Sequence, residues 1–325
     1  MHYRKFGRTG WQVSEIAFGA WQLGGTWGKV DDQESIRTLH AAFDMGINFV
    51  DTAQAYGAGR SEEVIGRALE ARQANDKIYV TSKIGALGAD HATAGLHSMK
   101  GRYPTWYLKR EVENSLRRLK VDCLDLLQLH LWLPGGMECF DWLEALTELV
   151  KEGKIEYFGV SLPDIRPETG IELAKSGLVT SQQLIYNIFE QAPEEELFPH
   201  AERHDTAIIA RVPFDSGALT GAWNDDTYNN WSEGDKRKSM YRNGRFEDTL
   251  KRVKEIEALC KGKYDQLSEA AIRFSLSNKA VSTVLCGMRN EEELRMNCAY
   301  SDGESFPEDL KEKLKEHNWR HQFYS

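Results

Sequence analysis

Eight short apolar runs, spread along 325 residues and separated by amphipathic stretches, constrain this chain more than any other feature of its sequence. They are SEIAFG (14–19), INFVD (47–51), KIYVTSK (77–83), CLDLLQLH (123–130), IEYFGVS (155–161), SQQLIYN (181–187), AIIAR (207–211) and VSTVLCG (281–287). Most are nearly continuous in apolar residues, the pattern of parallel strands covered on both faces. Between them, DDQESIRTLHAAFDMG sets Ile36, Leu39, His40 and Phe43 at helical spacing with Gly46 as a stop. SEEVIGRALEAR opens on Ser61, a good N-cap, and TWYLKREVENSLRRLK, CFDWLEALTELVKEGK and LSEAAIRFSLSN read the same way. Eight strands alternating with helices predict an α/β fold, a closed (β/α)8 TIM barrel over residues 1–325 as one domain. An open doubly wound sheet is the alternative, weakened because no G-x-G-x-x-G follows the first run. The start, YRKFGRTGWQVSE, reads as a β-hairpin turning at GRTG and placed to floor the barrel.

The formal net charge of −9 argues against nucleic-acid or anionic-membrane partners, while leaving room for a local basic pocket that takes a phosphorylated ligand. The 5 cysteines show no C-x-x-C spacing, so neither a disulfide framework nor a metal site is expected, and scattered thiols suit a reducing cytoplasm. MHYRKFGRTG lacks the apolar segment of a signal peptide, and LDLLQLHLWL is too short and interrupted to span a bilayer. Nothing in the sequence speaks to oligomeric state.

Two connections exceed simple turns: residues 84–104 and residues 212–244. Loops of this length are commonly lids or binding loops, when they are not disordered. The second carries Trp223, Tyr228 and Trp231 and a Lys236-Arg237-Lys238 run, which reads as a solvated surface.

In a barrel the chemistry collects at the C-terminal ends of the strands. The runs here end in Asp51, Lys83, His130, Ser161, Asn187 and Arg211, Gln183 lies inside the sixth, and the eighth gives way to GMRNEEELRMN. Taken singly, Tyr56 is a loop aromatic and His130 a satisfied core histidine. Converging on one mouth with Asp51 and Lys83, they form an acid–base assembly. An unpaired buried charge is costly, so Asp51 and Lys83 need each other. A free phenol titrates near 10, and a lysine ammonium beside it favours the phenolate. His130 would then share a hydrogen bond at the reacting oxygen.

These same residues carry a family resemblance. DTAQAYGAGRSEEVIGRAL resembles the D-T-A-x-x-Y-G-x-G-x-S-E-x-x-x-G-x-A-L signature of the aldo-keto reductases. VTSK and LDLLQLH resemble that family's lysine and histidine strands, and QLIYN, DSGALTG and AIRFSLSNKAVSTVLCGMRNEEELRMN resemble its later motifs in order and spacing. LGGTWG resembles the bacterial branches related to potassium-channel β-subunits, and the likeness runs from Tyr3 to the last helix. It implies an NADP(H)-binding barrel without a Rossmann motif, with NADP(H) ahead of NAD(H), and a catalytic tetrad of Asp51, Tyr56, Lys83 and His130 in which Tyr56 is the proton donor. It further implies Ser161 and Gln183 at the nicotinamide carboxamide. Residues 213–221, with Pro213, Phe214, Ser216, Gly217 and Leu219, would follow the pyrophosphate. Beyond Gly287, Arg289 matches the position facing the adenosine 2′-phosphate, with Glu293 and Asn297 at the adenosine end.

Four positions leave the family pattern. Leu162 replaces a common asparagine and cannot bond a carboxamide. Arg211 replaces an aromatic ring on the nicotinamide, where its flat guanidinium would stack or reach a negatively charged ligand. Cys286 replaces a proline, and Glu293 replaces a glutamine near the 2′-phosphate, which a carboxylate repels. The resemblance thus implies a carbonyl–alcohol oxidoreductase acting on a small molecule. A non-catalytic redox-sensing or regulatory subunit on the same fold is the alternative, and an aldolase using Lys83 as a Schiff-base lysine is a third. Trp21, Trp27, Tyr56 and Trp132 are expected to line the mouth, which with its polar rim suits a sugar-like or small polar aldehyde or ketone.

Overall fold

The computed structural model describes residues 1–25, 30–72, 76–90 and 93–321. Trp27 lies outside the described residues. A short antiparallel hairpin, β1 (Tyr3–Lys5) and β2 (Gln12–Ser14), precedes a closed barrel of eight strands. These are β3 (Ile16–Gly19), β4 (Phe49–Asp51), β5 (Tyr79–Ile84), β6 (Leu124–Leu129), β7 (Ile155–Ser161), β8 (Ser181–Ile185), β9 (Ala207–Arg211) and β10 (Val281–Gly287). Each pairs in parallel with the next, and β10 returns to β3. The closed (β/α)8 barrel predicted from the apolar runs is therefore the fold, and the open sheet is excluded. The sixth run stops at Ile185, short of Asn187, because the Asn187 amide leaves the sheet to cap a turn. Its Oδ1 accepts from the Phe189 and Glu190 N–H groups at 2.8 and 3.0 Å.

Helices cover the barrel: α1 (Asp32–Asp44), α2 (Arg60–Ala71), α3 (Thr105–Leu119), α4 (Asp141–Lys151), α5 (Ile171–Ser176) and α6 (Leu197–Arg203) follow β3 to β8 in turn. After β9 come α7 (Thr227–Asn230), α8 (Lys236–Met240), α9 (Arg245–Cys260) and α10 (Leu267–Leu276), and after β10 come α11 (Glu291–Ala299) and α12 (Glu308–Leu314). None of these is long and apolar enough to cross a membrane. Among the described residues no group of His, Cys, Asp and Glu could hold a metal ion.

The hairpin closes the bottom of the barrel, as its sequence suggested. Phe6, Trp11 and Val13 pack against Ala17, Phe49, Leu126, Ile209 and Leu285, and Trp11 stacks on Tyr79 with centroids 4.3 Å apart. Those strand residues therefore point inward. Side chains alternate along a strand, so the next inward positions are Gly19, Asp51, Gln128, Arg211 and Gly287. An apolar floor thus carries a polar layer directly above it.

The described residues of both long connections are folded. In the first, Tyr103 is fully buried and its Oη donates to the Leu131 carbonyl at 2.8 Å, while Met99 N–H donates to Pro134 O at 2.8 Å. In the second, Trp231, Met240, Tyr241, Phe246 and Leu250 form a small core of their own, with Trp223 and Tyr228 packed against it. The Lys236-Arg237-Lys238 run is a solvated surface only in part. Arg237 is paired with Asp235 at 2.6 Å and lies 5.0 Å over the Trp231 ring, so one member of the run belongs to that core.

Beyond α12 the chain is buckled onto the end of the barrel where the strands finish. Trp319 N–H donates to Phe189 O at 2.7 Å, and Gln191 N–H donates to Asn318 Oδ1 at 3.1 Å. His321 is buried, with Nδ1 2.7 Å from Trp319 O, Nε2 3.1 Å from Asp215 Oδ1, and Glu190 Oε1 3.5 Å from Nδ1. Both ring nitrogens face acceptors, which suits the imidazolium. Burial opposes that charge, but Asp215, the Trp319 carbonyl and Glu190 outweigh it and push His321 up to about 9. Burial also pushes Glu190 up to about 7, against the pull of the His321 N–H and charge.

Both shifts act in the same direction. Raised above its ordinary 6.5, His321 stabilises the fold fully below that pH and loses the contribution as pH rises through about 9. Glu190, raised above its ordinary 4.5, loses stability as pH rises from there through about 7. The His321→Gln variant is therefore expected to be less stable than the parent at pH 6, by on the order of 2–3 kcal/mol. The gap in thermal midpoint should close as pH rises to about 9. A pH-independent gap would contradict the charged-histidine account.

Candidate active site

The polar layer above the floor is organised around Asp51 and Lys83, which are 2% and 0% exposed. Asp51 ends β4 and Lys83 lies near the end of β5, both pointing inward by strand alternation. The Lys83 ammonium has three N–H donors, and three acceptors meet it: Asp51 Oδ2, the Thr52 carbonyl at 2.8 Å and Tyr56 Oη at 3.3 Å. Burial works against the charge, but Asp51 and Tyr56 outweigh it, so Lys83 is held above its ordinary value and stays protonated at neutral pH. With its charge held and its hydrogens taken, it is a poor Schiff-base nucleophile, and the aldolase alternative loses its reagent.

The other oxygen of Asp51 has its own donors. Gln128 Nε2 lies 3.1 Å and Gln183 Nε2 3.0 Å from Asp51 Oδ1, and Gln128 also donates to Thr81 Oγ1 at 3.1 Å. Gln128 was not singled out from the sequence. The available signal was parity: it stands two residues before His130, on the same face of its run. Gln183 likewise turns its amide nitrogen to Asp51.

Tyr56 is placed by close backbone contact. Gly57 sits at φ +61, and a Cβ there would come within 2.5 Å of the Gly24 carbonyl oxygen, so a larger residue would push the Tyr56 loop off the Trp21–Gly24 turn. The Tyr56 ring meets the His130 imidazole edge-on at 5.7 Å and the Trp21 indole at 6.4 Å, and all three are half-buried at the mouth. The structure therefore brings the four predicted residues together, with Trp21 beside them. Trp132 is different from expectation. It is 3% exposed, its Nε1 donates to Thr169 O at 3.1 Å, and its ring packs edge-on to Trp142, so it supports the wall from behind. Ser161, at the end of β7, is buried beside this layer, its backbone paired with Gln183 across the sheet. Leu162 is fully buried, its side chain packed in the core.

The segment matched to a pyrophosphate contains strained backbone. Val212, Asp215, Ser216 and Gly217 have φ of +60, +44, +58 and +107. A β-branched residue at positive φ is uncommon, and such strain persists only where surroundings enforce it. Asp215 is held by Tyr241, whose Oη donates to the Asp215 carbonyl at 2.9 Å, and by His321. Pro213, Ser216 and Leu219 are buried and Phe214 half-buried, so the segment exposes mainly backbone. The turn is closed by its own backbone: the Asp215 N–H donates to Val212 O at 3.1 Å, and the Gly217 and Leu219 N–H groups donate to Phe214 O at 2.9 and 3.0 Å. Arg211 pairs with Asp164 and reaches Leu162 O at 3.4 Å, so its negatively charged partner is inside the chain. Its buried Nε has no acceptor, a donor fitted to a bound ligand. Below, Gln22 Nε2 donates to Met288 O at 3.1 Å and the buried Asn297 reaches Gly287 O at 3.5 Å. These bonds fix the segment that carries exposed Arg289, which pairs with Glu293. Cys286 is buried and its thiol pushed well up by desolvation, so it packs as a small apolar group in place of proline.

The sequence and the barrel have counterparts among known proteins. The profile described as "Aldo/keto reductase family" matches residues 15–318. The aldo-keto reductase YhdN of Bacillus subtilis is 33% identical over 300 residues, covering 90% of this chain and 87% of YhdN. The glycerol dehydrogenase AKR11B4 of Gluconobacter oxydans superposes with a TM-score of 0.76 at 30% identity, covering 97% of this chain and 94% of that one. An aldo-keto reductase of Klebsiella pneumoniae in complex with NADPH shares the fold, with a TM-score of 0.70 at 23% identity over 99% of this chain and 96% of that one. The chain belongs to the aldo/keto reductase family.

Proposed function

We propose that the chain is an NADP(H)-dependent oxidoreductase that interconverts an aldehyde or ketone with the corresponding alcohol. The observation that carries this is the buried Asp51–Lys83 pair with the Tyr56 hydroxyl 3.3 Å from the ammonium. A phenol so placed is a proton donor whose product anion is stabilised in advance. The residues present fit the cofactor: the tight turn of residues 212–217, the unsatisfied Arg211 Nε, the Gln183 oxygen and the Arg289 guanidinium offer groups for the parts of a dinucleotide. Bound NADP(H) supplies the hydride, or accepts it in the alcohol-to-carbonyl direction.

The chain does the proton work. Tyr56 gives its proton to the carbonyl oxygen, and Lys83 holds the negative charge left on the phenolate. Asp51, gripped by Gln128 and Gln183, keeps Lys83 charged and aimed. His130, edge-on to Tyr56, orients the carbonyl oxygen from the other side, and Trp21 walls the mouth. A rim carrying His130, Arg211 and Asp164 favours a sugar-like or small polar carbonyl over a long apolar one.

Two variants separate these roles. Tyr56→Phe should lower kcat for carbonyl reduction by about a hundredfold or more. NADPH affinity, measured by nucleotide fluorescence, should stay within about twofold of the parent. Strong residual turnover would remove Tyr56 from the proton-donor role. Gln128→Leu deletes one donor to Asp51, a bond to charge of about 1.5–3 kcal/mol. It should lower kcat roughly tenfold with little change in cofactor affinity, whereas full activity would mean that Asp51 needs no second support.

A further inference from the structure

The cofactor assignment gives Arg289 the 2′-phosphate of an NADP-type dinucleotide, and the role inferred for its neighbour Glu293 rests on that assignment. In the structure the Arg289 guanidinium already holds a carboxylate. Arg289 Nε and Nη2 donate to Glu293 Oε1 at 2.9 and 2.6 Å, and the Arg289 backbone N–H donates to Glu293 Oε2 at 2.8 Å. Both oxygens are engaged by the same kinds of donor that recognise a phosphate monoester: a guanidinium and a backbone N–H. The Glu293 backbone is fixed independently, because its N–H donates to the capping Asn290 Oδ1 at 2.9 Å. The carboxylate is thus delivered to Arg289 by the first turn of α11, although the pair as a whole remains solvent-facing, with Arg289 65% exposed.

The surrounding charges point the same way. The first turn of α11 carries Glu291, Glu292 and Glu293. Arg295 answers Glu291, and Arg37 of α1 faces Glu291 and Glu292 across an open groove that also holds Glu34. Arg289, Arg295 and Arg37 therefore stand against four carboxylates, before the nearly two negative charges of a 2′-phosphate are added. A ribose 2′-hydroxyl adds no charge, and a carboxylate is the usual acceptor for it where NAD is read.

We propose that Glu293 is a specificity-determining residue: it occupies Arg289 as an internal phosphate mimic, and so equips this chain to use NADH alongside NADPH. NADPH must turn Glu293 away from Arg289 to bind. NADH leaves the pair in place and offers Glu293 its 2′-hydroxyl.

The test is direct binding to the full chain, by nucleotide fluorescence and calorimetry, of NADPH and NADH to the parent, Glu293→Gln and Glu293→Ala. The parent should bind the two nucleotides within about tenfold of each other. Glu293→Gln should tighten NADPH roughly fivefold, the scale of an exposed ion pair released, and leave NADH within about twofold. Glu293→Ala should tighten NADPH similarly and weaken NADH. Unchanged NADPH affinity in both variants, or a parent that binds NADPH a thousandfold more tightly than NADH, would overturn the role of Glu293 while leaving the oxidoreductase assignment standing. Failure of every form to bind either nucleotide would overturn the cofactor assignment and the role of Glu293 with it.

Discussion

A protonated lysine buried at the centre of the barrel is the constraint on which the rest of the site depends. Lys83 is wholly enclosed, and an ammonium there without partners would destabilise the fold by several kcal/mol. Its three hydrogens need three acceptors, and Asp51, the Thr52 carbonyl and Tyr56 are those acceptors. Asp51 then needs donors for its second oxygen, which come from Gln128 and Gln183 on two further strands. One charge thus fixes the height and direction of side chains from β4, β5, β6 and β8. The same bonds that make the charge tolerable leave the Tyr56 hydroxyl at the mouth, so the requirement for stability and the requirement for proton transfer are met by one arrangement.

Around this rigid centre the adaptable parts are loops. The segment after β9 carries several left-handed residues in succession, and its strain is restrained from outside the barrel by Tyr241 and by the C-terminal His321. The restraint is charged and buried, whereas the Arg289–Glu293 contact is exposed and exchangeable. One end of the proposed dinucleotide path is therefore clamped by the fold, and the other is set by a pair that a ligand can open. Such a division allows the reacting end to stay constant while cofactor preference changes through a single side chain.

The barrel was legible because eight apolar runs separated by helical patterns leave few alternatives, and the hairpin floor because GRTG marks a turn ahead of the first of them. Asp51, Lys83 and His130 were legible because charge at the end of a buried strand demands a partner. Gln128 was not, since an amide inside an apolar run carries no such demand until its register is known. The partners of Arg211 and Asp215 come from loops and a terminus distant in sequence, so spacing could not pair them with Asp164 and His321. Trp132 looked like a pocket wall because an aromatic two residues beyond a histidine at the barrel mouth fits that role equally well. Only packing shows its indole N–H turned to Thr169 and its ring to Trp142. Arg289 and Glu293 were each placed at the adenosine end, but their pairing was not read from the sequence, although the i,i+4 spacing allows it.

The protonation state of Lys83 tests the central claim most directly. With lysine side chains labelled with nitrogen-15, and Lys83 assigned by its loss in a Lys83→Met variant, the Nζ resonance can be followed by NMR from neutral to alkaline pH. The expected result is an ammonium signal, protected from exchange, that persists to above about pH 10. A neutral amine at pH 7 would contradict the account, because Asp51 would then hold no cation and Tyr56 would have no charge beside it to stabilise its phenolate.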